Sequence, residues 1–440
     1  MLPPARLYER KQEIMRKFVI KGNICYSKTS DELCIIENGY VVCENGICAG
    51  VYKELPECYA IFPFYDYTDK IIIPGFTDLH VHAPQYSFRG LGMDLELIGW
   101  LDTHTFVEEA KYSDLEYAGN AYNIFAGDLL NSATTRACVF GTIHPEATTL
   151  LMEKLDNTGI KAYVGKVNMD RNSPSNLCEK SPEQAFSDTE KWITGSMGFE
   201  NVKPILTPRF IPTCSDGLME KLSVLQQKYS LPVQSHLSEN LGEIQWVKEL
   251  CPGTAFYGEA YDRYGMFGNP LPSIMAHCVH SSKDELELMK KQNVFIAHCP
   301  ESNTNLSSGI APVRTFLDMG IKTGLGSDIA AGSSLSIFKA MAMAIQCSKL
   351  RWRLKDQSLA PLRIEEVFYL ATKGGGGFFG KAGSFEQGYE FDAVVIDDST
   401  LKHPQELNAR ERLERLVYLA EDRHIIAKFV SGRKLFEKNI

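Results

Sequence analysis

The stretch "PGFTDLHVHAPQYSFRG", residues 74–90, is an apolar run that ends in two histidines, His80 and His82, directly before a loop. Side chains two residues apart in a strand point to the same side. A strand over residues 76–82 therefore places both histidines on one face, at its C-terminal end. Such a pair arises easily by chance, so its meaning depends on whether distant residues complete a site around it.

Short apolar segments of this kind recur through the middle of the chain, and helix-like text such as "SSKDELELMKKQ" separates most of them. The sequence predicts eight strands, over residues 76–82, 134–140, 161–167, 203–207, 232–236, 273–278, 294–298 and 322–328. Eight strand–helix repeats over about 250 residues match the size of a (β/α)8 barrel. We therefore predict an α/β protein with a TIM-type barrel over residues 74–385.

The two chain ends have a different pattern, in which short strand-like runs are broken by turns. Asn38-Gly39 and Asn45-Gly46 are typical of hairpin turns. The far end, from "FDAVVIDD" to "RHIIAKFVSGRKLF", has the same all-β pattern. We predict that residues 1–73 and 386–440 together form a small composite β-sandwich domain.

Composition and charge exclude several classes of partner. The chain has 440 residues, of which 44% are hydrophobic, enough for a sizeable core, and its net charge is −9. An acidic balance argues against sequence-independent binding of nucleic acid or of an anionic membrane. We find no apolar run long enough for a signal-peptide core or a membrane span. Twelve scattered cysteines without a CxxC pair predict reduced thiols and a cytoplasmic protein.

Metal-ligating side chains stand at the predicted ends of four of the eight barrel strands. Active sites of such barrels form at the C-terminal ends of the strands. Imidazole and carboxylate groups suit a borderline divalent ion such as zinc, although iron or manganese tolerates the same ligands. The candidates are His80 and His82 on strand one, His236 and Glu239 on strand five, His277 on strand six and Asp328 on strand eight.

These motifs resemble the amidohydrolase superfamily. The resemblance rests on "PGFTDLHVHAPQYSFRG", "QSHLSEN", "MAHCVH", "AHCPESNTNL" and "LGSDIAAGSS". It implies one divalent ion per subunit, with His277 beside the reacting water and with Glu239, His277 and Asp328 as catalytic residues. The implied metal ligands are His80, His82, His236 and Asp328.

Some superfamily members instead bridge two metals with a carbamylated lysine, for which Lys166 in "VGKVNMD" is the candidate. The other interpretation of Lys166 is a structural ion pair near the barrel mouth. The HxxE spacing of His236 and Glu239 favours the mononuclear, deaminase type of site.

The narrower stretches "HAPQYSFRG" and "TPRF" resemble superfamily members that act on guanine. The resemblance implies hydrolytic deamination of guanine to xanthine and ammonia. In that reaction water activated by the metal attacks C2. Glu239 then protonates ring N3 and passes a proton to the departing amine.

The same resemblance implies a set of substrate contacts. Arg209 in "TPRF" can donate to O6 and N7 of guanine together, as arginine does when it reads guanine in DNA. Phe210 can pack on the ring face, and Gln85 offers a donor and an acceptor to the ring edge. His236, Glu239 and Asp328 are also expected to contact the substrate. The alternative for Arg209 is a surface salt bridge.

Two other functions remain open from the sequence. One is an amidohydrolase of the same metal type that acts on a triazine, cytosine or an adenosine-like compound. The other is an inactive scaffold, which the presence of all four metal ligands and Glu239 disfavours. A homodimer is expected from the resemblance and from the general frequency of twofold oligomers.

Overall fold

The computed structural model of the protein describes residues 16–438. The chain begins with the strands β1 (Lys17–Ser27), β2 (Leu33–Glu44), β3 (Ile47–Tyr52) and β4 (Phe64–Pro74). β1 and β2 pair antiparallel, as do β2 and β3, and the Asn45-Gly46 turn joins the latter pair. Asn45 and Gly46 both have positive φ, of 56° and 83°, as a tight hairpin turn requires.

The barrel follows. Its strands are β5 (Phe76–His82), β6 (Thr134–Phe140), β7 (Lys161–Gly165), β8 (Val167–Asn168), β9 (Val202–Pro204), β10 (Thr207–Pro208), β11 (Val233–Leu237), β12 (Ser273–His277), β13 (Phe295–His298) and β14 (Thr323–Leu325). β5-β6-β7-β9 and β11-β12-β13-β14 are parallel sheets of four strands.

Backbone hydrogen bonds close these two sheets into one barrel. At one seam the amide of Gln234 donates to the carbonyl of Leu206 at 2.9 Å. At the other seam the amide of Asp328 donates to the carbonyl of His80 at 2.8 Å. The closure brings the ends of the first and eighth predicted strands side by side, and the predicted fold class is confirmed.

Two predicted strands are interrupted. The segment predicted at 161–167 is observed as β7 and β8, and the segment predicted at 203–207 as β9 and β10. Pro204 and Pro208 have no backbone N–H and cannot donate to a continuous ladder. The other six predicted strands overlap the observed ones and differ from them only near their ends.

The strands β15 (Ala393–Ile396), β16 (Ile425–Val430) and β17 (Arg433–Glu437) return to the N-terminal strands. Together they form one seven-stranded sheet in the order β17-β16-β15-β4-β1-β2-β3. Its core includes Phe18, Ile72 and Phe429, all fully buried or nearly so. Both chain ends therefore contribute to a single sheet, whereas the division into domains at residues 73 and 386 stays a prediction.

Helices surround the barrel. They are α1 (Leu97–Trp100), α2 (Phe106–Glu109), α3 (Leu115–Asn131), α4 (Pro145–Thr158), α5 (Pro182–Ser196), α6 (Asp216–Tyr229), α7 (Leu241–Leu250), α8 (Glu259–Asp262), α9 (Lys283–Gln292), α10 (Pro300–Asn305), α11 (Val313–Asp318), α12 (Ile337–Leu354), α13 (Ile364–Tyr369) and α14 (Ala409–Leu419). We call residues 97–109, which contain α1 and α2, the cover segment.

Residues 16–438 bear on two predictions from the sequence, that no segment spans a membrane and that the cysteines are reduced thiols. None of the helices in this range is both long enough and apolar enough to cross a membrane. The twelve cysteines all fall in the range, and each is a free thiol. Nine of them, including Cys278 and Cys299 beside the barrel mouth, are buried.

Candidate active site

Four side chains from three barrel strands converge at the C-terminal end of the barrel. The Nε2 atom of His82 lies 3.2 Å from the Nε2 atoms of both His80 and His236. Oδ1 of Asp328 lies 3.2 Å from His80 Nε2 and 3.6 Å from His82 Nε2. Ligands about 2.1 Å from one tetrahedral ion lie roughly 3.4 Å from one another. The spacing therefore fits a single divalent ion among these atoms.

The chemistry of the donor atoms also fits a cation. His236 Nδ1 lies 2.6 Å from the carbonyl oxygen of Arg209, which leaves Nε2 as a lone-pair acceptor. Burial, with repulsion from neighbouring charge, holds the pKa of His82 and of His236 well below the usual range. Neutral imidazoles whose lone pairs converge need an electrophile between them.

Asp328 supplies the negative charge at this point. Burial raises its pKa, but the adjacent histidines His80, His277 and His82 lower the pKa more, so that it lies well below the ordinary value. The backbone approaches closely here, as the glycines before Asp328 allow. A Cβ atom at Gly326 would lie only 2.9 Å from Cβ of His80.

We call His80, His82, His236 and Asp328 the metal-type cluster. Asp78 lies below this cluster and joins the first barrel strand to the eighth. Its Oδ2 accepts from the hydroxyl of Ser327 at 2.5 Å, and its Oδ1 accepts from the amides of Ser327 and His80 at 3.0 and 3.1 Å. These bonds hold the backbone on both sides of the His80–Asp328 pair. Burial raises the pKa of Asp78 to about 7.

Glu239, two residues after β11, and His277, the last residue of β12, face the same centre. His277 Nε2 lies 3.5 Å from Oε2 of Glu239 and 3.8 Å from Oδ2 of Asp328. His277 Nδ1 lies 2.9 Å from Oδ1 of Asn303, which orients the ring. Burial raises the pKa of the Glu239 carboxyl, so this group can carry a proton at a higher pH than an exposed glutamate.

The backbone at these strand ends adopts an uncommon conformation. Ser238, His277 and Asp328 have φ of 48°, 74° and 46°, in the left-handed region that residues other than glycine rarely occupy. Each costs of order 1 kcal/mol or more and persists where the surrounding structure over-determines it. Three such residues around one cluster favour a functional role for this end of the barrel.

A cavity that is open to solvent on one side lies beside the cluster. Its lining includes the metal-type residues His82, His236 and Asp328 together with Glu239 and His277. The predicted substrate contacts Gln85, Arg209 and Phe210 line the same cavity, as do Glu243, Leu306 and Ala331. The cover segment contributes Leu97, Trp100 and Leu101. The predicted residues are thus neighbours in space.

The polar side of the cavity is organised by Glu109, a residue that the sequence analysis missed. Glu109 Oε2 accepts from Arg209 Nη1 at 2.6 Å, and its Oε1 accepts from Gln85 Nε2 at 2.9 Å. Gln85 Oε1 in turn accepts from the amide of Ala330 at 3.0 Å. Arg209 is therefore not in a surface salt bridge, because both partners of its ion pair are almost fully buried.

Glu243 is a second residue of the site that was not predicted from the sequence. Glu243 accepts from the amide of Glu239 at 3.1 Å and from the hydroxyl of Tyr257 at 2.8 Å. The only sequence signal for Glu243 is its position four residues after Glu239 in a helical segment. For Glu109 the signal is weaker, since a glutamate next to a second one in "FVEE" is typical of a solvated helix face.

Lys166 is not among the residues that line the cavity. Its Nζ donates to Oε1 of Glu179 at 2.6 Å and to the carbonyl of Val167 at 3.2 Å, and its side chain is buried. This is the structural ion pair that the sequence analysis offered as the alternative to a carbamylated bridge.

Comparison with known proteins adds an independent line of evidence. The amidohydrolase family profile matches residues 71–435. The guanine deaminase of Dictyostelium discoideum is 41% identical over 379 residues, which are 84% of this chain and 83% of that protein. The human guanine deaminase is 35% identical over 381 residues, 83% of each protein.

Solved structures give the same result. The crystal structure of guanine deaminase from C. acetobutylicum with guanine bound in its active site has a TM-score of 0.93 and 49% identity, and covers 96% of this chain and 100% of that one. An adenosine deaminase from Xanthomonas campestris with bound zinc has a TM-score of 0.78 at 21% identity, covers 96% of this chain and 93% of that one, and shares the fold.

Proposed function

This chain belongs to the amidohydrolase family, and we propose that it is a hydrolase that deaminates guanine to xanthine and ammonia. The observation that carries the proposal is the meeting of two sets of residues at one cavity. One set is the metal-type cluster with Glu239 beside it, and the other is the buried pair of Arg209 and Gln85. Relatives named guanine deaminase, one of them solved with guanine bound, support the choice of substrate.

We assign the metal site to His80, His82, His236 and Asp328. Family members are metal-dependent, and zinc is our choice because a borderline ion suits three imidazoles and a carboxylate. A divalent cation held there supplies the acidity that makes water a nucleophile near neutral pH. Iron or manganese is the alternative, and metal analysis of the purified protein distinguishes among the three ions.

The protein's own groups then move the protons. Asp328 accepts a proton from the attacking water, and His277, oriented by Asn303, directs the water oxygen towards C2 of guanine. Glu239 donates a proton to ring N3 as the C2–O bond forms. Glu239 then takes the proton of the C2 hydroxyl that the attack has formed and passes it to the amine as the C2–N bond breaks, so that ammonia leaves and xanthine remains. The proton held by Asp328 returns to Glu239 and restores the starting state.

The proposed recognition of guanine uses the N–H donors of Arg209 that are not bonded to Glu109. One face of the Arg209 guanidinium is near the Phe106 ring, at 5.2 Å, and its remaining N–H groups can reach O6 and N7 of guanine. Phe210 packs on the purine ring. Adenine would present an amino group where Arg209 needs an acceptor, and the unpaired buried donors would disfavour it strongly.

The test is an absorbance assay of guanine conversion to xanthine with and without a chelator, alongside adenine, cytosine and a triazine. We expect chelator-sensitive turnover of guanine at least about a hundredfold faster than turnover of the other bases. Faster turnover of another base would assign the site to that substrate instead.

Three finer points belong to the same proposal: a homodimer, a cytoplasmic location and a role in purine catabolism. The free thiols support the location, the general frequency of twofold oligomers supports the dimer, and the proposed conversion of guanine to xanthine supports the catabolic role. Light scattering of the purified chain tests the dimer directly.

A further inference from the structure

We infer that Glu109 is a specificity-determining residue, which cancels the charge of Arg209 so that the cavity accepts a neutral purine and disfavours an anionic one. The inference rests on the proposed function, because it concerns the same purine edge. Its evidence is separate, however, since it comes from the contacts of a residue on the cover segment.

Glu109 contacts both proposed recognition residues and uses both carboxylate oxygens to do so. Oε2 accepts from Arg209, and Oε1 accepts from Gln85. Glu109 is 1% exposed and Arg209 3% exposed, so water does not screen the pair. In such buried surroundings a ligand experiences the full positive charge of a guanidinium, unless a carboxylate lies against the guanidinium.

The contact to Gln85 also fixes which way its amide points. Oε1 of Gln85 accepts from Ala330, so Nε2 must be the atom that faces Glu109. A glutamine at position 109 would present its own N–H₂ group to one of these two donors. Glu109 therefore accepts from both side chains and fixes the positions of Gln85 and Arg209 relative to each other along the purine edge.

The charge of the pair has a consequence for the product. Xanthine loses a ring proton more readily than guanine does, and it is largely an anion at mildly alkaline pH, where hypoxanthine remains largely neutral. An uncompensated Arg209 would attract that anion and slow its release. Glu109 removes this attraction while leaving the remaining N–H groups of Arg209 free to donate.

The experiment compares the wild-type protein with three variants, Glu109→Gln, Glu109→Asp and Glu108→Gln, all loaded with the same metal. Glu108 is the matched control. It is the adjacent buried carboxylate of α2, and it pairs with Lys111 at 2.7 Å rather than with Arg209 or Gln85. Calorimetry at mildly alkaline pH gives the Kd of xanthine and of hypoxanthine, and steady-state kinetics give KM and kcat for guanine.

In Glu109→Gln we expect the affinity for xanthine relative to hypoxanthine to rise about tenfold, and KM for guanine to rise more than kcat falls. Glu109→Asp keeps the charge but shortens the reach, so KM rises while the preference for the neutral base stays that of the wild type. Glu108→Gln should match the wild type in both Kd values, in KM and in kcat. A merely structural role for Glu109 would weaken both ligands together and leave their ratio unchanged.

An unchanged ratio of the two affinities in Glu109→Gln overturns the inference. If that variant does not fold, the wild type and Glu109→Asp still test it: affinity for xanthine relative to hypoxanthine that rises as xanthine ionises, from mildly acidic to mildly alkaline pH, overturns it too. Failure of the proposed function looks different: guanine is not turned over, yet the two bases bind with the expected charge preference.

Discussion

At the scale of single residues, Glu239 offers the sharpest test of the chemistry. Its carboxyl is buried, accepts from Ser308 at 3.0 Å and lies 3.5 Å from His277. Glu239→Gln keeps this shape but can neither take up nor release the proton that the reaction needs. We expect kcat to fall about a thousandfold. Metal content, measured by atomic absorption, should stay at the wild-type level, and near-normal turnover would refute the role.

Arg209 tests recognition at the same scale. Lysine in its place keeps the charge towards Glu109 but loses the planar pair of donors. We expect Arg209→Lys to raise KM for guanine about tenfold or more, and to narrow the preference for guanine over 2-aminopurine, which lacks O6. Steady-state kinetics on both bases measure the effect. Arg89→Lys, in an arginine of the mouth that lies over the Tyr86 ring, is the control and should leave the preference unchanged.

The residues predicted from the sequence and those missed differ in a physical way. His80, His82, His236 and Asp328 stand at strand ends, where the barrel geometry alone predicts that they converge. Glu109 reaches the site on a short irregular helix whose position depends on how the cover segment packs. No local pattern distinguishes its buried carboxylate from the solvated glutamates of other helices.

At the scale of elements, β16 contains an unusual buried cation. Lys428 is fully buried, and its Nζ donates to the carbonyls of Leu129 and Thr134 at 3.2 and 2.9 Å. Burial lowers the pKa of Lys428 to about 7. Between that pH and the pKa of an exposed lysine, the unfolded chain binds a proton that the folded chain does not. The free energy of unfolding therefore rises with pH across this window, by at most about 1.4 kcal/mol per pH unit.

We expect Lys428→Met to remove this part of the pH dependence, since methionine has no proton to bind. Urea unfolding at several pH values between neutral and alkaline measures the slope. Lys53→Met, at an exposed position after β3, is the control and should keep the wild-type slope. Equal slopes in the wild type and Lys428→Met would mean that Lys428 is not the group responsible.

The ends of the strands and helices show where sequence patterns are sufficient to predict the structure. β5 and β6 begin and end where the alternation and the apolar runs predict, because both strands are buried and flanked by clear turns. The third predicted strand is split at Lys166, which lies between β7 and β8, and the fourth contains prolines, so hydrophobicity alone does not predict where their ladders break. α1 and α2 have only four residues each, too few for any periodic signal.

At the scale of the whole molecule, the metal-type cluster ties the first strand of the barrel to the eighth and to the fifth. A cation that binds only the folded chain stabilises it by mass action, by about 4 kcal/mol at a thousandfold excess over Kd. We therefore expect a chelator to lower the thermal midpoint by several degrees, and restored zinc to recover it. Asp328→Asn, which weakens the site, should show a smaller response, and the metal content of the wild type should be one ion per chain. Two ions per chain, lost together on Lys166→Ala, would instead indicate a binuclear centre, and the hydrogen bond from Lys166 to Glu179 would then have to break to form it.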